Sequence, residues 1–292
     1  MATQSGTAYP SMTHPRSVEQ ALADLEPEGA AAIAGGTWLM RAPLRHEDGA
    51  ERLVALHRIE GFSRLHNDED AISIGPLTTH DILTHNLPRT PGLRVLREAA
   101  GRSANPGVRR LATIGGNIAT SAFAASDFAP ALLSLDARIA IADRTGTRDI
   151  AIEDFLASRA TFVQPWLVSK IIVPSTRRLS AHERLPMRRA GDYPCAIVSV
   201  SLELDDNGLI REARIGVGAL EAVARRWRGL EQALTGRPAT PEQAERVARE
   251  LAGDFTGRDA VDAPGWYRVS VLPVLVRRAF ATIQADLMRS PQ

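Results

Sequence analysis

Residues 34–38 read AGGTW and residues 113–117 read TIGGN, each a Gly-Gly pair beside a threonine and each directly after an apolar or β-branched stretch. Without a Cβ, successive backbone N–H groups can point into one concavity and approach an anion closely, which is how main chain holds phosphate. In the first segment, opened by Ala34, the candidate donors are the amides of Gly35, Gly36, Thr37 and Trp38 with the Thr37 hydroxyl. In the second they are the amides of Ile114, Gly115, Gly116 and Asn117, with Thr113 and the Asn117 carboxamide as side-chain partners. One such segment alone reads as a turn. Two with the same chemistry suit a diphosphate, which has two charged ends to satisfy. Neither matches G-x-x-x-x-G-K-[ST], and neither is a helix-opening G-x-G-x-x-G, so a P-loop NTPase and a Rossmann dehydrogenase are set aside.

Asp127 lies beyond the second segment. A carboxylate close to a phosphate site can accept hydrogen bonds from ribose or other hydroxyls. The same residue could instead cap the helix that FAPALLSLDA (128–137) would make, and the pattern leaves both roles open.

The 292 residues suffice for two or three compact domains, because single cores rarely grow past roughly 250 residues. With 44% apolar and 24% charged residues the composition is that of a globular chain, and no run of about 18 apolar residues reads as a bilayer span. The start, MATQSGTAYPSMTHPRS, lacks the basic head and apolar core of a secretory signal, so a cytoplasmic location is expected. A net charge of +1 gives no field for nucleic acid or an anionic membrane. Cys195, the only cysteine, excludes an internal disulfide, a cysteine-ligated zinc site and an iron-sulfur cluster held by this chain alone. In its apolar strand pattern it reads as a buried hydrophobe. Metal redox chemistry, if involved, is expected on another subunit. The 7 histidines form no cluster in sequence and read as surface or capping residues. Tyr193 reads as packing at a domain entry.

SVEQALADLE (17–26) has capping-box spacing and one apolar face, a helix; AAAIA (30–34) and RLVALHRI (52–59) read as strands. AISIGPL (71–77) alternates as a strand, and Thr78 or Thr79 can cap a helix through Leu83. A helix over 92–101 is expected to stop at Gly101, and ARIAIAD-RTGT-RDIAI is a hairpin turning at Gly146. WLVSKIIVP (166–174) is one more strand; residues 175–189 show no period and mark a domain boundary. Beyond it, strands flank Asp205-Asp206-Asn207-Gly208, TPEQ (240–243) opens a helix, and the last helix, 266–287, should kink or split at Pro273.

The stretch ATIGGNIATSAFAASDFAPALLSLDARIAI, taken with AIAGGTWLM, resembles the flavin-binding medium subunit of the molybdenum hydroxylases, of the xanthine dehydrogenase and carbon monoxide dehydrogenase type. PRSVEQALADL, MRRAGDYPCAIVSVSLEL and GWYRVSVLPVLVRRAF resemble that family's N-terminal helix, C-terminal domain entry and closing helix. The resemblance implies an α+β chain with an FAD-binding fold of the vanillyl-alcohol oxidase (PCMH) type in two α+β subdomains, 1–61 and 62–176, plus a smaller C-terminal α/β domain, 177–292. It implies that Ala34, Gly35, Gly36, Thr37, Trp38, Thr113, Ile114, Gly115, Gly116 and Asn117 wrap the FAD pyrophosphate, with Asp127 near the cofactor. Arg184, four residues before Arg188, falls where relatives often carry a lysine beside the flavin ring; a cation there would stabilise the reduced, anionic ring. Trp38 stands where many relatives have a small polar residue, so it stacks or packs; Arg110, in place of an asparagine, either reaches the pyrophosphate or faces solvent.

The implied function is electron transfer, with no catalytic or metal-ligating residue on this chain. A large molybdopterin subunit oxidises the substrate, a small [2Fe-2S] subunit conducts electrons, and FAD here passes them to an acceptor, in a heterotrimer or a dimer of heterotrimers. Two rivals are a free-standing flavin oxidoreductase of the same fold and a flavin-less structural subunit. The first lacks a substrate-facing cluster of His, Tyr or Arg in the sequence, and the intact glycine segments oppose the second.

Overall fold

In the computed structural model, which describes residues 10–175, 178–187 and 193–289, the chain builds three sheets in succession. The first is small and parallel: β1 (Ser11–Thr13), then α1 (Val18–Asp24), β2 (Ala30–Ile33) and β3 (Arg52–Ala55), with β3 in the middle. The Ser17 hydroxyl accepts the Gln20 N–H at 3.2 Å and starts α1, while the Gln20 carboxamide accepts from the Arg16 N–H, one residue outside the expected box. Ala21 and Leu22 on α1 bury against Val54, Leu56 and Ile59. The expected strand 52–59 ends at Ala55, because a 3-10 turn over Leu56–Arg58 brings Leu56 and Ile59 into the same core.

The second sheet is antiparallel throughout. Along the chain come β4 (Leu65–Asn67), β5 (Ala71–Ile74), α2 (His80–Asn86), α3 (Arg94–Arg102), α4 (Pro106–Arg109), α5 (Ile114–Ala119), α6 (Phe128–Ser134), β6 (Arg138–Asp143), β7 (Gly146–Ala151), α7 (Ile152–Ser158) and β8 (Trp166–Pro174). The strands lie in the order β4-β5-β8-β6-β7. Thr79 caps α2 through the Ile82 N–H (3.2 Å), whereas the Thr78 hydroxyl turns to the Arg64 carbonyl. α3 buries Val95, Leu96, Ala99 and Ala100 and runs through Gly101. No glycine stop is needed there, because Ser103 donates to the Ala100 carbonyl and Arg109 to the Gly101 carbonyl, satisfying the helix end.

The third sheet comprises β9 (Leu179–Pro186), β10 (Pro194–Leu204), β11 (Ile210–Gly218) and β12 (Arg225–Arg226), in the order β12-β11-β10-β9, and packs against α8 (Arg228–Leu234), α9 (Pro241–Glu250), α10 (Gly265–Ser270) and α11 (Leu272–Arg289). Two expectations change here. β9 occupies the stretch read as aperiodic, and every pairing in this sheet is antiparallel, an α+β arrangement in place of the expected α/β one. The β10–β11 hairpin turns at Gly208, where φ is +75° and the Asp205 carboxylate accepts the Asn207 and Leu209 N–H groups. Thr240 precedes α9 without a side-chain capping bond. The final helix divides at Val271, and Pro273 becomes the second residue of α11, where no backbone donor is lost.

The third sheet docks on the helices of the second unit. Gly216 and Gly218 of β11 lie on Pro130 of α6; a Cβ on Gly216 would stand 2.2 Å from the Pro130 carbonyl oxygen. Beside them Asp136, at φ +51°, accepts from Arg178, Arg214 and Arg226. No helix among the described residues is long and apolar enough to cross a membrane.

Candidate functional site

The two glycine segments meet. A Cβ on Gly35 would stand 1.8 Å from the Leu111 carbonyl oxygen, so only glycine lets the first segment lie on the backbone that leads into the second. A Cβ on Gly116 would come within 3.9 Å of the Ala34 Cβ. Gly36, at φ +67°, reverses the chain into the 3-10 helix Leu39–Arg45.

Their chemistry is unequal. The carbonyls of Gly36 and Trp38 are engaged inward, by the Met40 N–H and by the Arg41 N–H and Arg45 guanidinium. The N–H groups of Gly35, Gly36, Thr37 and Trp38, and the Thr37 hydroxyl, donate to no described residue. Half-buried donors of this kind are left for solvent or a bound acceptor. The second segment is different: Thr113 is the N-cap of α5, and all four expected donors are committed. The Ile114 N–H donates to the Thr78 carbonyl (3.1 Å), Gly115 to Pro76 (2.9 Å), Gly116 to the Thr113 hydroxyl (3.2 Å) and Asn117 to the Thr113 carbonyl (2.9 Å). The expectation that TIGGN offers a second row of free amides is therefore corrected. Its backbone anchors α5, and it presents the Thr113 and Asn117 side chains, the latter accepting from the Ser126 hydroxyl at 2.5 Å.

Trp38 packs. The Arg45 guanidinium lies 4.0 Å over its ring, Phe123 is 5.0 Å away, and Phe123 in turn meets Tyr193 at 5.2 Å. Tyr193 is exposed and accepts from Arg41. Arg110 is exposed, and Arg188 lies outside the described residues.

Asp127 is 2% exposed. It makes no capping bond to α6, because the Ser126 hydroxyl takes that position by accepting the Ala129 N–H at 3.0 Å. Its Oδ1 faces His182 Nε2 at 3.1 Å and Arg184 Nε at 2.9 Å, although the Arg184 N–H is not aimed along that line. No hydrogen bond from a described residue reaches Oδ2. β9 thus places His182 and Arg184, two residues apart on one face of a strand, against a carboxylate from the second unit.

His80 and His182 correct the expectation of surface histidines, being 2% and 0% exposed. Burial pushes the His80 ring down to about 4, against the opposing pull of Asp127 and the Thr113 backbone; its Nδ1 meets the Ser103 hydroxyl at 2.8 Å. Sequence reasoning missed both. The available signal was the H-x-R spacing of 182–184, which makes sense only once that stretch is a strand. The row Ser199–His182–Asp127 has the composition of a hydrolytic triad, but Ser199 is 0% exposed and cannot meet a substrate. Cys195 is also buried, and burial raises its thiol. Among the described residues no group of His, Cys, Asp or Glu is arranged to hold a metal ion.

Residues 6–176 match the family described as the FAD binding domain in molybdopterin dehydrogenase, and residues 182–283 match the CO dehydrogenase flavoprotein C-terminal domain. The chain is 30% identical over 271 residues to the 6-hydroxypseudooxynicotine dehydrogenase complex subunit alpha of Paenarthrobacter nicotinovorans, covering 91% of each chain. It is 26% identical to the glyceraldehyde dehydrogenase medium chain of Sulfolobus acidocaldarius, over 91% of this chain and 95% of that one. Among solved structures, a chain of the carbon monoxide dehydrogenase from Hydrogenophaga pseudoflava superposes with a TM-score of 0.86 at 25% identity, covering 95% of this chain and 98% of its own. The chain belongs to the family of FAD-binding medium subunits of the molybdenum hydroxylases.

Proposed function

We propose that this chain is the electron-transfer subunit of a cytoplasmic molybdenum hydroxylase, receiving electrons from a small [2Fe-2S] subunit and passing them to an external acceptor. A large molybdopterin subunit oxidises the substrate, and the three form a heterotrimer or a dimer of heterotrimers. FAD binds in a PCMH-type fold made of subdomains 1–61 and 62–176, with 177–292 as the C-terminal domain.

The observation that carries this reading is the row of uncommitted N–H groups over Gly35–Trp38, set against the N-terminal end of α5. Those residues fit a dinucleotide. Gly35 keeps the row open, the Gly35–Trp38 amides and the Thr37 hydroxyl donate to the pyrophosphate, and Ala34, with no long side chain, leaves room beside Gly116. Thr113 and Asn117 contribute through their side chains, while Ile114, Gly115 and Gly116 contribute by holding α5 in place. Asp127 offers Oδ2 to a hydroxyl or N–H of the cofactor. Arg184, 6% exposed, supplies positive charge beside the flavin ring, partly offset by Asp127. Bound FAD would exchange electrons singly or in pairs, which joins a one-electron carrier to a two-electron acceptor.

The test is to purify the chain with whatever accompanies it and record absorbance and metal content. Yellow protein, with molybdenum and iron arriving only in the complex, supports the reading. A colourless chain that takes up no FAD refutes it.

A further inference from the structure

His182 is fixed at more points than a strand residue needs. Its backbone N–H donates to Glu98 Oε2 (3.2 Å) and its carbonyl accepts from Arg102 (2.7 Å), both on α3. Its ring meets Ser199, opposite it on β10, through Nδ1 at 2.9 Å and Asp127 through Nε2 at 3.1 Å. An ionised carboxylate only accepts, so Nε2 carries the hydrogen. In the neutral ring Nδ1 is then the acceptor, and the Ser199 hydroxyl donates to it. In that tautomer the buried chain runs from Ser199 to His182 to Asp127.

We propose that His182 is a positioning residue for the flavin site, holding Asp127 so that Oδ2 faces the cofactor and coupling FAD affinity to the docking of β9 on α3 and α6. This rests on the flavin reading above. Asp127 sits at the start of α6 with no capping bond to fix its side chain. Its other partner, Arg184, approaches Oδ1 with its N–H off the line of contact. The His182 N–H is thus the aimed hydrogen bond that orients the carboxylate. The imidazole itself is buried and touches no cofactor; it acts through Asp127.

The test uses the full chain with its copurifying partners, stripped of flavin and titrated with FAD, in wild type, H182L and H182Q. Leucine fills the space without a donor, and the glutamine carboxamide restores an N–H at the reach of Nε2. A hydrogen bond to a charged group is worth about ten-fold in an equilibrium, and because this one reaches FAD only through the freed Asp127, H182L should bind FAD more weakly by up to about ten-fold and shift the flavin midpoint potential. H182Q should stay within about three-fold of wild type. Wild-type affinity and potential in H182L overturn the inference while leaving the flavin reading intact. Equal loss in H182L and H182Q, with equally lowered melting temperatures, overturns it in favour of a packing role. A wild-type chain that takes up no FAD refutes the flavin reading and this inference together.

Discussion

Replacing Gly35 with alanine isolates the contact that keeps the amide row open. The new methyl would stand 1.8 Å from the Leu111 carbonyl oxygen, so the two backbones must part by roughly 1.7 Å to reach ordinary contact near about 3.5 Å. Neither side yields readily. Gly35 follows the β2–β3 ladder closely, and the 111–112 backbone is held by N–H bonds from Leu111 and Ala112 to the Val108 carbonyl and by the His80 N–H on the Ala112 carbonyl. Overpacking of this kind costs about 1–3 kcal/mol, and two restrained backbones place the expected cost at the upper end, about 2–3 kcal/mol. If the segment moves to relieve the clash, that cost falls on FAD binding as a loss of roughly 30- to 150-fold in affinity. Flavin fluorescence titration of the apo-chain measures it, alongside thermal melting. Gly49→Ala is the control, since a Cβ there meets nothing within 4 Å. G35A binding FAD and melting like G49A would refute the reasoning.

Asp127→Ala removes the carboxylate that accepts from His182 Nε2 and faces Arg184 and should cost about 1.5–3 kcal/mol, read by urea unfolding. His80 titrates at about 4 in the folded chain against 6.5 ordinarily, so between these values the unfolded chain binds more protons. Stability should fall as pH drops through that window, by roughly 3 kcal/mol in full, and H80Q should remove this component from a pH series of melting curves. Gly216→Ala pushes β11 off Pro130 and should lower the unfolding free energy by about 1–3 kcal/mol, seen as a reduced urea midpoint.

Local signals survived into the structure. Ser17 caps α1, Gly146 and Gly208 turn the hairpins, and the apolar stripe of α3 is buried, each within a few residues of its cause. β9 was illegible for a different reason. Its apolar face, Leu179, Ala181 and Leu185, is interrupted by Glu183, and the opposite face, Ser180, His182 and Arg184, is buried although polar, so the alternation that marks a strand is masked. Those side chains can be buried because partners reach them from elsewhere: the Val95 N–H and the Pro91 carbonyl for Ser180, Asp127 for the other two. The same non-locality hid the state of TIGGN, whose leading amides are taken by the carbonyls of Pro76 and Thr78. Glycine spacing reveals where backbone donors can approach an anion, but not whether another strand end has already claimed them.

Hydrogen–deuterium exchange of the apo-chain with and without FAD separates the two segments directly. The amides of Gly35–Trp38 should exchange readily in the apo-chain and become protected when FAD is added, while those of Ile114–Asn117 should be protected in both states. Unchanged exchange at 35–38, with FAD-dependent protection appearing only at 114–117, would contradict the assignment of the pyrophosphate to the first segment.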